Sequence, residues 1–587
     1  MKNLLLTTAF LTLILNQIYS QVNLSSSFLQ VNNVKALFWN NGNNFWDHNI
    51  SSQFFVPATS PKTAFYAQNL WIGGYDSNDS LCFAGNRYTG LGNDFFPGPI
   101  SNVYDSIYDQ KWNKIWVLSK SEVESFIAWH NNPSAFPNYV IPNNILTWPA
   151  HGDITKGESA NLAPFFDNNG DGHYTAASGD YPIFKGDGAL LYFMNDLRLN
   201  HTETGGNKIG IEVMMMAYGY NCTNDLNNTI FMEYTINKRT NGNLDSTRIG
   251  IFADFDLGFG YDDFVGTDVS RGLIYTYNGN AVDGYGNNYQ YGAEPPAIGI
   301  SFLKGTPLPY DNLDNPNKDQ LGHPNCDASI NGLNFGDSII DNEFSGLYGS
   351  VTFHNGGTID AYNDPNSAEE YMKYMNFHWK NDQNFKYTGY GYDSINSTQL
   401  DCKYVFPGLT DSCNLGTYGI EPTGNKNWTE VTAANLYSDR RIVGVLEPTT
   451  LVPNTPIKIE YAIIWARDSV EQSIPALQRA TDTVRYYYHH NIHPCGGNYL
   501  GNSLNTENQK PEITVFPNPS SSHLTLKITG NESYFYEIYS ITGKRVQSGK
   551  TSGESTTLDI SPLSDGLYFI RVSSNRNINT IKFIKTH

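Results

Sequence analysis

Ile230, Met232, Tyr234 and Ile236 occupy every second position, with Phe231, Glu233, Thr235 and Asn237 between them. Alternation of this kind puts the first set on one face of a strand and the second set on the other. The pattern returns at Ile249, Ile251, Ala253 and Phe255, and again at Ile457, Ile459, Tyr461, Ile463 and Trp465. From Val31 to Pro149 the chain is aromatic and broken by turn residues. The chain therefore reads as mainly β with a few short helices. Three patterns of helical period interrupt the strands. Ser119 and Glu122 form a capping box ahead of Val123, Phe126 and Ile127. Ser367 and Glu370 open a second helix through Met372, Met375 and Trp379. Ser469 and Gln472 open a third, whose Ile474, Leu477, Thr481, Val484 and Tyr488 share a face, with Gly496 beyond its end.

Period-two alternation is also clear near the C-terminus, at Ile513/Val515, Leu524/Leu526/Ile528, Ile538, Leu558/Ile560, Tyr568/Ile570/Val572 and Ile581/Phe583. Gly, Pro, Asn and Asp separate these runs. They predict a small Ig-like antiparallel β-sandwich of about seven short strands. Proline lacks the ladder donor, so Phe516-Pro-Asn-Pro519 marks the entry to this unit, not a central strand. Asp565-Gly566 is a tight-turn signal leading into a strand over Leu567 to Val572.

The proline-bounded entry, the Gly-Lys turn ending at Lys544, the Leu563-x-x-Gly566-x-Tyr568 strand and the basic terminal strand through Lys582 and Lys585 occur in a recognisable order. Together they resemble the C-terminal sorting domain of type IX secretion cargo. The resemblance implies recognition by the type IX translocon and sorting machinery through residues 512–587. It also implies release, or attachment to a surface glycan or lipopolysaccharide, after crossing the outer membrane. The other terminus agrees. Lys2, the apolar run Leu4 to Leu15 and the small residue Ser20 predict a cleaved signal peptide over residues 1–20. No later run reaches the roughly 18 apolar residues of a spanning helix, so no transmembrane segment is expected.

Between these ends the reading has two parts. One is an aromatic and turn-rich region over 21–200. The other is a β-rich region over 201–495 that ends in a helix, followed by a linker over 496–511. Both parts of this middle are expected to be β-sandwich-like. Leu70 to Gly74, Asn93 to Pro99, Asp167 to Gly172, Asp254 to Gly258 with Asp262 to Gly266, and Ile464 to Arg467 resemble segments of large exported proteins that carry the same sorting domain. That resemblance implies a shared β-rich architecture and transfers no activity.

Composition narrows the picture. Charged residues are 16% and aromatics 14% of the chain, and the net charge is −20. About 25% charged residues is usual, so this chain relies on neutral polar groups at its surface. The acidic balance excludes a nucleic-acid partner, whose phosphates demand a basic face. It suits divalent cations. Six cysteines, Cys82, Cys222, Cys326, Cys402, Cys413 and Cys495, point in an exported chain to disulfides. Cys402–Cys413 closes the shortest loop and is the simplest pairing.

Candidate chemistry lies in two acidic segments. In the first, Asp167, Asn169 and Asp171 place side-chain oxygens at alternating positions before Gly172, with His173 offering a carbonyl and Asp180 a closing carboxylate. That is the requirement of a flexible calcium loop, although the acid at position twelve of an EF-hand is replaced here by Ser178. The competing reading is an ion-free Asn/Gly/Asp turn. In the second, Asp254 and Asp256, two apart, point to one side at a strand end, close to Asp262, Asp263 and Asp268. They form a second cation candidate, or a carboxylate pair for hydrolysis. His489, His490 and His493 read as ordinary complements of a helix C-terminus. Asp-Ser/Thr pairs at Asp79, Asp105, Asp245, Asp337, Asp393 and Asp468 resemble O-glycosylation acceptors of bacteria that use this route. No metalloprotease, nucleophile-elbow or phosphate-loop motif is present. The expectation is a non-catalytic adhesion, structural or binding protein stabilised by calcium; the alternative is a secreted polysaccharide-active hydrolase.

Overall fold

The computed structural model describes residues 22–88, 92–317, 326–355, 359–392, 399–469, 473–495, 500, 513–528, 535–541, 544–551, 555–573 and 578–587. The expected signal peptide, nearly all of the linker and the Gln472 half of the third capping box lie outside these residues. Two compact units are present, Met1–Leu500 and Gly501–His587.

In the first unit the principal elements, in chain order, are β1 (Ala67–Tyr75), β2 (Leu81–Gly85), β3 (Phe96–Pro97), α1 (Ser106–Trp112), β4 (Trp116–Ser119), α2 (Lys120–Asn131), α3 (Asn143–Leu146), β5 (Gly188–Asn195), β6 (Ile211–Gly219) and β7 (Thr229–Lys238). They continue with β8 (Leu244–Asp254), β9 (Asp263–Asp268), β10 (Leu273–Asn278), β11 (Ala297–Lys304), β12 (Leu347–His354), α4 (Ala368–Met375), β13 (Arg440–Leu446), β14 (Thr449–Leu451), β15 (Ile457–Ala466) and α5 (Ser473–His489). A nine-stranded sheet runs β9-β10-β11-β15-β7-β6-β5-β3, with β4 also paired to β5. A six-stranded sheet runs β12-β13-β8-β1-β2, with β14 beside β8. Both sheets draw strands from either side of residue 200.

Alternation explains the layering. Ile230, Met232, Tyr234 and Ile236 of β7 enter the core between the sheets, together with Ile211, Val213, Met215 and Ala217 of β6. The opposite face carries Phe231, Met214, Met216 and Tyr218 into a second core. There α2 contributes Val123 and Phe126, and α5 contributes Ala476, Leu477, Ala480 and Val484. From Val213 to Tyr218, β6 reads as an unbroken apolar run because both of its faces are covered. Fully burying one such side chain contributes about 1.5–3 kcal/mol.

The capping box at α2 is complete: Glu122 N donates to Ser119 Oγ, and Glu122 Oε2 accepts from Ser119 N at 2.7 Å. At α4 neither half of it forms. Ser367 makes no side-chain cap, and Glu370 Oε2 accepts from Asn366 N at 2.7 Å instead. The helix also ends at Met375, so Trp379 lies beyond it, stacked on Phe385 with ring centroids 3.9 Å apart.

The disulfides correct the sequence reading. Cys222 pairs with Cys495 and Cys326 with Cys413, whereas Cys82 and Cys402 are buried free thiols. Proximity in sequence favoured Cys402–Cys413, but Cys402 is drawn into the sandwich core.

The second unit contains the seven expected strands, β16 (Ile513–Phe516), β17 (His523–Ile528), β18 (Phe535–Ser540), β19 (Arg545–Lys550), β20 (Ser555–Asp559), β21 (Gly566–Ser573) and β22 (Ile578–Lys585). They form sheets β16-β17-β20 and β19-β18-β21-β22. Leu524, Leu526, Ile538, Leu558, Ile570 and Phe583 fill the space between them.

Candidate cation site

β8 ends at Asp254, and the backbone turns away through Asp256, which has a left-handed φ of +43°. A non-glycine residue in that region is uncommon and marks a constrained position. β13 runs antiparallel to β8 with Ala253 opposite Ile442 and Asp254 opposite Arg441. This register carries Asp439, just before β13, to the end of β8. One carboxylate oxygen from each of Asp254, Asp256 and Asp439 lies within 4.8 Å of the others. Asp254 is fully buried, whereas Asp256 and Asp439 are partly exposed.

One guanidinium pairs with two of these acids, and Asp364 also approaches it at 3.8 Å. Arg441 reaches Asp254 Oδ2 at 3.2 Å and Asp439 Oδ1 at 2.5 Å, and its Nε donates to Tyr88 Oη at 2.9 Å. Tyr88 Oη donates in turn to Asp254 Oδ2 at 2.7 Å. Asp254 Oδ1 is buried without a hydrogen-bond partner. Burial pushes the Asp254 carboxyl up to about 7 against the opposing pull of Arg441. Burial, then Asp254 and Asp439, push Asp256 well above the usual carboxylate range. Tyr66, pushed up to about 12 by burial and by Asp256 and Asp254, borders the same acids. Ionised together, the three carboxylates would outnumber the single Arg441 charge, and a divalent ion would balance that excess. Carboxylate oxygens suit hard Ca²⁺, which takes 6–8 oxygen ligands.

The other expected members of this cluster have different tasks. Asp262 Oδ2 accepts from Gly284 N at 2.9 Å and Asp263 Oδ2 from Leu257 N at 2.9 Å. Neither belongs to the trio, and each keeps one buried oxygen without a partner. Asp268 Oδ2 pairs with Arg271 at 2.9 Å and accepts from Gln478 Nε2 at 2.8 Å, tying α5 to β9.

The 167–180 loop closes as a set of side-chain-to-backbone turns. Asp167 accepts from Gly170 N and Gly172 N, each at 2.7 Å. Asn169 Oδ1 accepts from Asp171 N at 3.1 Å, and Asp171 Oδ1 from His173 N at 2.7 Å. Asp180 is buried and accepts from Asn168 N at 2.9 Å and Thr175 N at 2.7 Å, binding the two ends of the loop. Gly170 and Gly172 both have φ near +75°, which a side chain would strain (φ +74° and +77°). Among the described residues Asp167, Asp171 and Asp180 do not converge as the Asp254 trio does.

Residues 514–586 match the family model described as the secretion system C-terminal sorting domain. The tail is a type IX sorting domain. The sorting domain marks its chain as type IX cargo, bound for the cell surface or the medium and engaged by that system's machinery. No helix among the described residues is long and apolar enough to cross a membrane. No curated protein matches the sequence. A solved polysaccharide lyase is similar at 7% identity and TM-score 0.16, over 65% of this chain and 35% of that one. The BSP domain of a biofilm-associated protein is similar at 9% identity and TM-score 0.15, over 88% of this chain and 80% of that one. The cargo thus spans about a third of the lyase, and at these scores neither likeness bears on its activity.

Proposed function

We propose that this type IX cargo is a non-catalytic surface or secreted protein, acting in adhesion or as a structural component, whose sandwich is stabilised by Ca²⁺. The observation that carries the reading is the convergence of Asp254, Asp256 and Asp439 within 4.8 Å of one another beside Arg441, with a buried Asp254 oxygen left over. The alternative, a polysaccharide hydrolase, gains one supporting point: a carboxyl raised to about 7 suits a general acid. Two points weigh against it. Asp254 is fully buried, and the three oxygens sit within 4.8 Å, closer than the roughly 5–9.5 Å that glycosidase carboxylates keep across a sugar. Attachment to surface lipopolysaccharide and glycosylation at the Asp-Ser/Thr pairs belong to the same reading.

A ligand that binds only the native state raises its stability. For an extracellular-type affinity near 0.1 mM, about 1 mM calcium adds roughly 1.4 kcal/mol. Thermal melts of the full chain in calcium and in chelator should differ accordingly. D256N and D439N should abolish the difference, and D171N should leave it intact. If D171N alone abolishes it, the ion belongs to the 167–180 loop. If calcium leaves the melt of the unmodified protein unchanged, the calcium reading fails.

A further inference from the structure

Lys403 is almost fully buried, and its Nζ sits 3.7 Å from the centroid of the Tyr348 ring. No carboxylate lies within ion-pairing distance of it among the described residues. Arg248 approaches the same ring, at 5.3 Å, and its Nη1 is buried with no hydrogen-bond partner. Burial pushes the Lys403 ammonium down to about 8, although Glu447 and Asp411 pull it up. A buried cation without a close counter-ion is costly unless something completes it.

What lies beside it is a cavity of about 170 Å³. Lys403, Tyr348, Tyr404, Glu447 and Asp327 line it, at the start of β12 and the end of β13. The Glu447 carboxylate makes no ion pair with Lys403, although both face the same space, and burial raises its carboxyl above the usual range. Asp327 lies on the exposed rim. It follows Cys326, whose disulfide to Cys413 ties this wall to the one that holds Leu415. The walls thus offer a donor cation with no ion-pair partner among the described residues, and separate acceptor carboxylates.

We infer that this cavity binds a small acidic sugar of the hexuronate class, its carboxylate on Lys403 and its hydroxyls donating to Glu447 and Asp327. A simple anion would leave the acceptor carboxylates unused, and a neutral sugar would leave Lys403 unpaired. This inference does not depend on the calcium reading.

The test is calorimetric titration of the full, disulfide-bonded chain with galacturonate and glucuronate, and with glucose as the uncharged control. Hexuronate should bind and glucose should not. K403M should weaken binding about ten- to a hundredfold, the cost of one charge-assisted hydrogen bond. The same variant should melt at or above the temperature of the unmodified protein, because it removes an unpaired buried cation. A K403M chain that retains affinity, or equal affinity for glucose and hexuronate, overturns the inference, as does absence of hexuronate binding. E447Q, at a less buried position, should weaken hexuronate binding while leaving the fold intact. If it leaves binding unchanged, the assignment of the hydroxyls fails.

Discussion

Arg440 Nε lies 2.9 Å from Glu430 Oε1, and both side chains are sealed from solvent. Glu430 Oε2 also accepts from Asn435 Nδ2 at 2.8 Å, and Arg440 Nη2 donates to Leu436 O at 2.5 Å. The pair therefore pins the loop before β13 to the sandwich. Removing one partner leaves a buried charge alone, which costs about 3–5 kcal/mol. R440A should lose that much in urea-induced unfolding. R440K should recover only part of it, because an ammonium cannot reproduce the planar fork. A loss below about 1 kcal/mol in R440A would show that the pair is not sealed in solution.

His354 accepts from Arg440 Nη1 through Nδ1 at 3.0 Å, which requires a neutral ring. Burial, then Arg440 and Arg441, push its pKa down to about 3. Below the ordinary histidine value the unfolded chain takes up a proton that the folded chain refuses. The contribution of this residue to stability is therefore present near neutral pH and is lost as pH falls from about 6.5 towards 3. Buried aspartates such as Asp263 are shifted upward and act in the opposite sense, so the informative quantity is a difference. H354Q should melt with a flatter acid limb than the unmodified protein between pH 7 and pH 5. Parallel melting profiles would remove His354 as the cause.

Peptide mapping without reduction should recover Cys222–Cys495 and Cys326–Cys413, and no Cys402–Cys413 peptide. Cys82 and Cys402 should react with an alkylating reagent only after unfolding, since both are buried and burial pushes both thiols above their ordinary range. Loss of the Cys222–Cys495 bridge, by C222S with C495S, should cost about 2–4 kcal/mol.

S119A should cost about 1 kcal/mol, the usual loss for a serine N-cap. S367A should cost much less, because Ser367 makes no side-chain cap. Chemical denaturation of the two variants side by side would decide this. Equal losses would mean that the cap at α4 forms in solution.

These two serines also show how far the sequence is legible. Capping, alternation and turn signals are local, so α2, the faces of β7 and the seven strands of the sorting domain follow from residue order alone. Ser367 carries the same local pattern as Ser119, yet Glu370 bonds to Asn366, one residue earlier. Asp254 and Asp256 were visible as neighbours. Asp439 was not, because only the β8–β13 register brings it to them. Cysteine pairing and the Lys403 cavity fail for the same reason: each is a product of strands far apart in the chain. The nearest thing to a signal for Asp439 is its place just before Arg440-Arg441 and the continuous apolar run Ile442 to Leu446.

The Cys222–Cys495 bridge also sets a path for mechanical load. Cys495 lies six residues past the end of α5, just before the boundary of the first unit at Leu500, and Cys222 follows β6, an inner strand of the nine-stranded sheet. A pull applied through the sorting domain therefore reaches the sheet by a covalent route. α5, held by apolar packing, hydrogen bonds and the Arg271–Asp482 ion pair, carries no covalent link of its own to the sheet. A force applied at the C-terminal side of Cys495 would thus be shared between α5 and the inner strand β6.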